Sequence, residues 1–239
     1  MPATRWRVVV AIAWLAAGAC TNAATAPSQS APPVAPGIWA ALGASTTAGF
    51  IVSSPSRAWV PRLQAAVEGR GVAIFNLAVA GSITSQWMPA NTPATAGRPA
   101  QLSGNNIDAA MRERPKLLLL NATNNDLVVG IGIDETLANL LAIRAIAAAG
   151  GASVVMISTQ PRALSDADLA QLRTLDTRLA ASFGDCFVDI RTPLAGPDGR
   201  LLAAYDAGDG VHPNDAGHAI IFQRVDAVLQ SGRCVAAPH

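Results

Sequence analysis

Four short segments of the sequence carry residue types that together suit nucleophilic catalysis by a serine. Ser45 lies in Gly-Ala-Ser-Thr-Thr, Gly81 in Ala-Gly-Ser, Asn125 in Thr-Asn-Asn-Asp, and Asp209 and His212 in Asp-Gly-Val-His-Pro. A serine hydroxyl is a weak nucleophile until a base removes its proton, and neutral imidazole does this near pH 7. A carboxylate behind the ring fixes its tautomer, and N–H donors stabilise the substrate oxygen as it becomes negative.

The alternation of strand and helix patterns predicts that these segments meet. Five short apolar runs, most of them continuously apolar, have the character of strands covered on both faces. They are residues 38–42, 72–77, 117–121, 154–158 and 186–190. Stretches of helical periodicity lie between and after them, at 57–69, 102–114, 134–150, 165–183 and 214–230. This order predicts a parallel sheet with helices on both faces, whose ligands bind at the carboxyl ends of the strands.

The placement of the four segments follows from that pattern. The serine, glycine and asparagine segments each come directly after a predicted strand, and the Asp-x-x-His segment directly precedes the last predicted helix. Because the carboxyl ends of parallel strands share one edge of the sheet, all four segments are expected to converge there.

The identity, order and spacing of these segments resemble the SGNH hydrolases, also called GDSL-type esterases and lipases. The resemblance covers the domain from Gly43 to the last predicted helix. It implies a flavodoxin-like three-layer α/β/α sandwich with a five-stranded parallel sheet. It also implies cleavage of acyl or acetyl esters through an acyl-enzyme. The residues it assigns are Ser45 as nucleophile, Asp209 and His212 as its triad partners, and Ser45, Gly81 and Asn125 as oxyanion-hole donors.

Two positions depart from the family pattern. Ala44 stands where the family's first segment has Asp, and Thr123 stands where its third segment has Gly. Neither position supplies a reacting group. The first change is expected to alter the hydrogen bonding of the serine loop, and the second to narrow the site or change the turn.

Each assignment has a plainer alternative. Ser45 is also a residue type that caps helices, and Gly81 suits an ordinary turn. Asn121 and Asn124 compete with Asn125, which is preferred because Asp126 follows it. A second Asp-x-x-His pair, Asp215 and His218, competes with Asp209 and His212 but falls inside the last predicted helix.

Composition excludes several classes of protein. Hydrophobic residues make up 51% of the 239-residue chain and charged residues 14%, which is too apolar for intrinsic disorder. The formal net charge is +1 without a basic stripe, so nucleic acid is not an expected partner. Three cysteines without CxxC spacing and three histidines do not suggest a metal site, and no nucleotide-binding glycine motif is complete. No cofactor is expected.

The N-terminus has the pattern of an export signal. Arg5 and Arg7 precede a 12-residue apolar run at 8–19, which is shorter than the roughly 20 residues of a membrane-spanning helix. Residues 1–19 are therefore interpreted as a signal peptide, with a buried helix as the alternative.

Cys20 follows Ala-Gly-Ala, which resembles the lipobox of bacterial lipoproteins except that Ala17 replaces the usual Leu. Cys20 is thus a candidate lipidation site that would anchor the protein to a membrane, with cleavage nearby as the alternative. Residues 20–36 are uncharged and rich in Pro, Ala and Ser, as a tether would be, and leave 37–239 as the catalytic domain. The expected location is the bacterial cell envelope, or otherwise the medium.

Cys186 and Cys234 are candidates for a disulfide. Both lie in the domain expected to be exported, where oxidation is allowed, at the start of the last predicted strand and after the last helix. A bond between them would close a loop that contains His212. The alternative is two separate thiols.

Two functions are compatible with the sequence. The first is a serine esterase acting on a small-molecule, lipid or acylated-sugar ester. The second is a non-catalytic exported lipoprotein that uses the same fold as a binding module.

Overall fold

The computed structural model describes residues 36–93 and 95–234. The predicted signal peptide, Cys20 and all of the predicted tether except Pro36 lie outside these residues. Within them, five strands and eight α-helices follow one another along the chain. The strands are β1 (Gly37–Leu42), β2 (Val72–Asn76), β3 (Leu117–Asn121), β4 (Ser153–Ile157) and β5 (Phe187–Val188). The helices are α1 (Ser45–Ala48), α2 (Trp59–Val67), α3 (Ile107–Arg112), α4 (Asn125–Val128), α5 (Ile133–Ala149), α6 (Asp166–Phe183), α7 (Arg191–Leu194) and α8 (Asp215–Gln230).

The five strands form one parallel sheet in the order β2-β1-β3-β4-β5. β1 lies between β2 and β3, with Trp39 opposite Ile74 on one side and Leu117 on the other. This order is that of flavodoxin-like folds, in which the chain winds in both directions from a switch point between β1 and β3. The predicted fold class, a three-layer α/β/α sandwich on a five-stranded parallel sheet, is confirmed.

The two faces of the sheet bury separate apolar clusters, because side chains alternate along each strand. Ala40 and Leu118 face the cluster formed with α3, α5 and α6. Trp39 and Leu119 face the opposite cluster, formed with α2, α7 and α8. Burial on both faces explains why the strands are apolar without alternation in the sequence.

Some predicted elements are shorter than expected. The predicted helix at 102–114 begins only at Ile107, because the Asn106 side chain accepts the Ala109 N–H at 3.0 Å and caps the helix there. The predicted strand at 186–190 is reduced to Phe187–Val188. The N–H group of Ile190 turns away to donate to Oγ of Ser158 at 2.9 Å.

Cys186 and Cys234 are joined by a disulfide, with their Cα atoms 4.6 Å apart. The bond attaches the segment after α8 to the turn that precedes β5. None of the helices within the described residues is long and apolar enough to span a membrane.

Candidate active site

Ser45 is the first residue of α1, three residues beyond the end of β1. Gly43 precedes it in a packed turn, where a Cβ atom would overlap the Thr47 side chain. Ala44 occupies the N-cap position without a side-chain cap. The N–H of Ser45 lies in the first turn, where N–H groups have no partner within the helix, and no other acceptor among the described residues binds it. The departure at Ala44 leaves α1 without the cap that an aspartate side chain would give to the N–H of Thr46 or Thr47, and it does not change the free N–H of Ser45.

Ser45, His212 and Asp209 are linked by hydrogen bonds. Nε2 of His212 lies 3.0 Å from Oγ of Ser45, and Nδ1 lies 2.6 Å from Oδ2 of Asp209. Because a carboxylate only accepts, Nδ1 donates to Asp209 and Nε2 is left to accept from the serine hydroxyl. In this arrangement the ring can take the proton of Ser45.

The carboxylate of Asp209 is held in its ionised form. Partial loss of hydration acts to raise its pKa, but hydrogen bonds from the ring and N–H of His212 and from the N–H of Val211 outweigh this and lower the pKa to about 2. The two backbone bonds to Oδ1 are 2.8 Å from His212 and 2.9 Å from Val211. Gly210 lets the chain turn between Asp209 and His212 at a φ of 68°, in the left-handed region that suits glycine.

In the competing pair, the His218 ring forms no hydrogen bond with Asp215 or with a serine among the described residues. His218 is fully buried on α8, and its Nδ1 accepts the backbone N–H of Trp59 at 3.3 Å. Burial lowers the pKa of His218 to about 4, against the opposing charge of Asp215. Asp215 instead binds Ser53, with 2.9 Å between its Oδ1 and the Ser53 N–H. The bond between Asp215 and Ser53 stabilises the start of α8 and the loop after α1.

Asn125 starts α4, four residues beyond the end of β3. Its side-chain NH₂ donates to the carbonyl oxygen of Ser82 at 3.0 Å, which leaves one of its two N–H donors without an acceptor among the described residues. Asn125 and Ser45 line the same cavity, together with Gln160 and Val211.

Gly81 lies in a turn that packs beside the serine loop. The N–H of Val79 and the hydroxyl of Ser82 both donate to the carbonyl oxygen of Gly43, at 3.2 and 3.3 Å. Gly81 has a φ of 78°, and no acceptor among residues 36–93 and 95–234 binds its N–H. The donor is therefore available, although Gly81 does not line the cavity that Ser45 and Asn125 share.

The competing asparagines have structural contacts. Asn121 is buried: its NH₂ donates to the Ser158 carbonyl at 3.0 Å, and its carbonyl accepts from the Thr47 hydroxyl at 3.0 Å. Asn124 is also buried and donates to the carbonyl oxygen of Gln160 at 3.2 Å. Both line the cavity together with Asn125, and Asn124 also keeps a second N–H without an acceptor among the described residues. Asn125 is the least buried of the three asparagines, which favours it as the donor to a substrate.

Thr123 and Asp126 support the turn that carries Asn125. The hydroxyl of Thr123 accepts the N–H of Asn125 at 3.1 Å, so the residue that replaces the family's glycine caps this turn. Asp126 accepts the N–H of Thr84 and the hydroxyl of Thr136, both at 2.9 Å, and burial raises its pKa. These bonds fix α4 against the neighbouring segments.

Two residues after β4 belong to the site but were missed by the sequence analysis. The side chain of Gln160 accepts from the hydroxyl of Thr46 and donates to the carbonyl oxygen of Val211 at 2.6 Å. It thereby connects the neighbour of Ser45 to the neighbour of His212. Arg162 donates to the side-chain carbonyls of Asn124 and Asn125, at 3.3 Å each. Both residues follow a predicted strand, which is the same signal that marks the serine, glycine and asparagine segments.

Residues 41–220 match the sequence profile of the GDSL-like lipase/acylhydrolase family, a match that covers well over half of the chain. The chain belongs to this family. The resemblance to SGNH hydrolases that the four segments suggested is thus confirmed. No curated protein sequence matches the chain.

Several solved structures have the same fold. TesA superposes with a TM-score of 0.62 at 19% identity, covering 82% of this chain and 99% of TesA. The esterase EstA from Pseudoalteromonas gives 0.58 at 16% identity, covering 82% and 97% of the two chains. The acetylxylan esterase Axe2 from Geobacillus stearothermophilus gives 0.60 at 15% identity, covering 81% and 94%.

Membership of this family supports a general activity for the chain, which is the hydrolysis of small-molecule esters. The structural neighbours, each below 25% identity, establish the fold.

Proposed function

We propose that the protein is a serine esterase that cleaves carboxylic esters through Ser45, His212 and Asp209. The observation that carries the proposal is the unbroken series of hydrogen bonds from the Ser45 hydroxyl through the His212 ring to the Asp209 carboxylate. These three residues come from two distant parts of the chain, and a serine that merely capped α1 would need neither partner.

The reaction proceeds in two halves. Oγ of Ser45 attacks the ester carbonyl carbon while Nε2 of His212 takes the serine proton. The tetrahedral intermediate collapses, the ester C–O bond breaks, and His212 returns the proton to the departing alcohol. Water then attacks the acyl-serine with His212 again as the base, which releases the carboxylic acid and restores Ser45.

The oxyanion of each intermediate is stabilised by backbone and side-chain donors. The N–H of Ser45, the N–H of Gly81 and the second N–H of Asn125 all lack an acceptor among the described residues. Donors that are already in place are most effective where negative charge develops, since the protein pays no reorganisation cost at that moment.

The substrates we propose are small acyl or acetyl esters, including lipids and acylated sugars. Among the structural neighbours are an acetylxylan esterase and a two-domain esterase active on acetylated mannans. We also propose that the chain is exported, with residues 1–19 as signal and Cys20 as a lipid anchor. Export is compatible with the disulfide between Cys186 and Cys234.

The alternative function, a non-catalytic binding module, has no specific support from the site. The two departures at Ala44 and Thr123 leave the hydroxyl, the ring and the carboxylate connected. A module that only bound a ligand would not require a carboxylate whose pKa is lowered to about 2 behind a histidine bonded to a serine.

Hydrolysis of p-nitrophenyl esters from acetate to longer acyl chains tests the proposal. Wild type is expected to release nitrophenol, and Ser45→Ala to lose nearly all of this activity. Ser165→Ala is the matched control, because Ser165 caps α6 through the Asp168 N–H, outside the proposed site. Equal rates for wild type and Ser45→Ala would reject the esterase mechanism.

A further inference from the structure

Arg162 lies at the carboxyl edge of the sheet, in the loop between β4 and α6. Its Nη1 donates at 3.3 Å to the side-chain carbonyl oxygen of Asn125 and at the same distance to that of Asn124. No carboxylate within the described part of the chain forms an ion pair with it, whereas Arg98, Arg178 and Arg191 each pair with one. The structure therefore directs this guanidinium at two amides.

The amide of Asn125 has a donor on one side and an acceptor on the other. Its Oδ1 accepts from Arg162, while its NH₂ donates to the carbonyl oxygen of Ser82 at 3.0 Å. A guanidinium only donates and a backbone carbonyl only accepts. Rotating the amide by 180° would therefore place its NH₂ against the guanidinium and its oxygen against the Ser82 carbonyl, and both bonds would be lost.

We propose that Arg162 is a positioning residue that fixes the orientation of the Asn125 amide, so that its second N–H remains available to the substrate oxyanion. This inference rests on the proposed function, because it gives Asn125 the role of an oxyanion donor. Without Arg162 only the single bond to Ser82 would oppose rotation, and the rotated amide would present an oxygen to the cavity. A negative oxyanion would then meet an acceptor.

Arginine suits this task better than lysine. The guanidinium is planar and donates in fixed directions, whereas an ammonium is a compact charge on a flexible stem. Burial lowers the pKa of Arg162 from its ordinary value, and the charge of Asp209 opposes this. An arginine side chain stays protonated in proteins, so Arg162 is a cationic donor. Hydrogen bonds that involve a charged partner are also stronger than those between neutral groups.

A double-mutant cycle on the full chain tests the coupling of the two residues. Arg162→Met is expected to lower kcat for p-nitrophenyl acetate about tenfold with little change in KM. Arg162→Lys keeps a cationic donor, so it should lower kcat by a smaller factor than Arg162→Met does. In the Asn125→Ala background, Arg162→Met should change kcat by less than about twofold, because no amide is left to orient. Arg178→Met is the matched control, since Arg178 pairs with Asp134 on the surface and should leave kcat unchanged.

The outcomes separate this inference from the proposed function. If Arg162→Met lowers kcat by the same factor with and without Asn125, the arginine acts independently and the inference is wrong, while the esterase mechanism stands. If Arg162→Met lowers the melting temperature but not kcat, its role is only structural and the inference is again wrong. Retained activity in Ser45→Ala would overturn the proposed function itself.

Discussion

The ring of Phe50 contacts the ring of His212 edge to face, with 4.9 Å between the centroids and 63° between the planes. Phe50 follows α1, and its N–H donates to the carbonyl oxygen of Ser45 at 3.0 Å. One short segment therefore supplies both the hydroxyl that bonds to the imidazole and an apolar wall for it. Asp209 holds Nδ1 of the same ring, so three contacts fix its position.

Replacing His212 is expected to abolish catalysis, whereas replacing the second histidine is not. His212→Ala removes the base and should lower kcat/KM by about 10⁴-fold or more. His218→Asn is the control, because an amide oxygen can still accept the Trp59 N–H that His218 accepts. It should retain most activity at neutral pH. If His218→Asn loses esterase activity and His212→Ala keeps it, the catalytic pair is Asp215 and His218.

Removing the side chain of Asn125 should act on the transition state. Asn125→Ala is expected to lower kcat by about 10²–10³-fold with little change in KM. The carbonyl oxygen of the substrate carries most negative charge after Ser45 has attacked, so the lost N–H donor matters more in the transition state than in the bound substrate. Asn124→Ala is the comparison: it loses its bonds to Gln160 and Arg162 and should mainly lower the melting temperature. If Asn125→Ala lowers thermal stability while kcat stays near that of wild type, Asn125 only supports its turn.

The buried His218 makes stability depend on pH. Burial lowers its pKa to about 4 in the folded chain, whereas a histidine in the unfolded chain titrates near 6.5. Between these values the unfolded state binds more protons, so the free energy of unfolding rises with pH. Above about pH 6.5, His218 is neutral in both states and stability is not reduced. As pH falls towards 4, the free energy of unfolding decreases, by about 3 kcal/mol at most.

Denaturant unfolding at pH 7 and pH 4.5 measures this effect. Between these two pH values, the free energy of unfolding of wild type should fall by about 2–3 kcal/mol more than that of His218→Asn, because asparagine does not titrate. Equal losses in the two proteins would show that other groups control acid stability.

The fold could be predicted because its strands are buried on both faces. Leu117–Asn121 is continuously apolar up to its last residue, which is the pattern expected of a strand covered by helices on both faces. The boundaries could not be predicted as well, since they depend on side-chain caps and on bonds between distant segments. Ser158, for example, ends β5 early by accepting the N–H of Ile190 from 32 residues away.

The residues that we propose as reacting groups could be picked out from the sequence, whereas the residues that connect them could not. Ser45, Asn125, Asp209 and His212 lie in short segments with recognisable spacing. Gln160 acts through contacts with residues 114 positions before it and 51 positions after it, and no local pattern records such contacts. Arg162 is likewise an ordinary loop arginine until the loops are brought together.

The disulfide should contribute to stability and little to catalysis. It closes a loop across a sequence separation of 48 residues, and cross-links of this kind stabilise proteins by about 2–4 kcal/mol. The double variant Cys186→Ser/Cys234→Ser should therefore unfold at lower denaturant concentration while its kcat stays near that of wild type. Non-reducing peptide mapping should recover the two cysteines in one linked pair. Recovery as free thiols, or unchanged stability in the double variant, would contradict this.

Active-site labelling shows whether Ser45 is the covalent nucleophile. A fluorophosphonate probe should form a stoichiometric adduct with wild type that peptide mass spectrometry maps to Ser45, because the probe's phosphorus takes the place of the ester carbonyl carbon. Ser165→Ala should label like wild type, His212→Ala should label far more slowly, and Ser45→Ala should not label at all. Labelling that persists in Ser45→Ala, or an adduct that maps to another serine, would show that Ser45 is not the nucleophile.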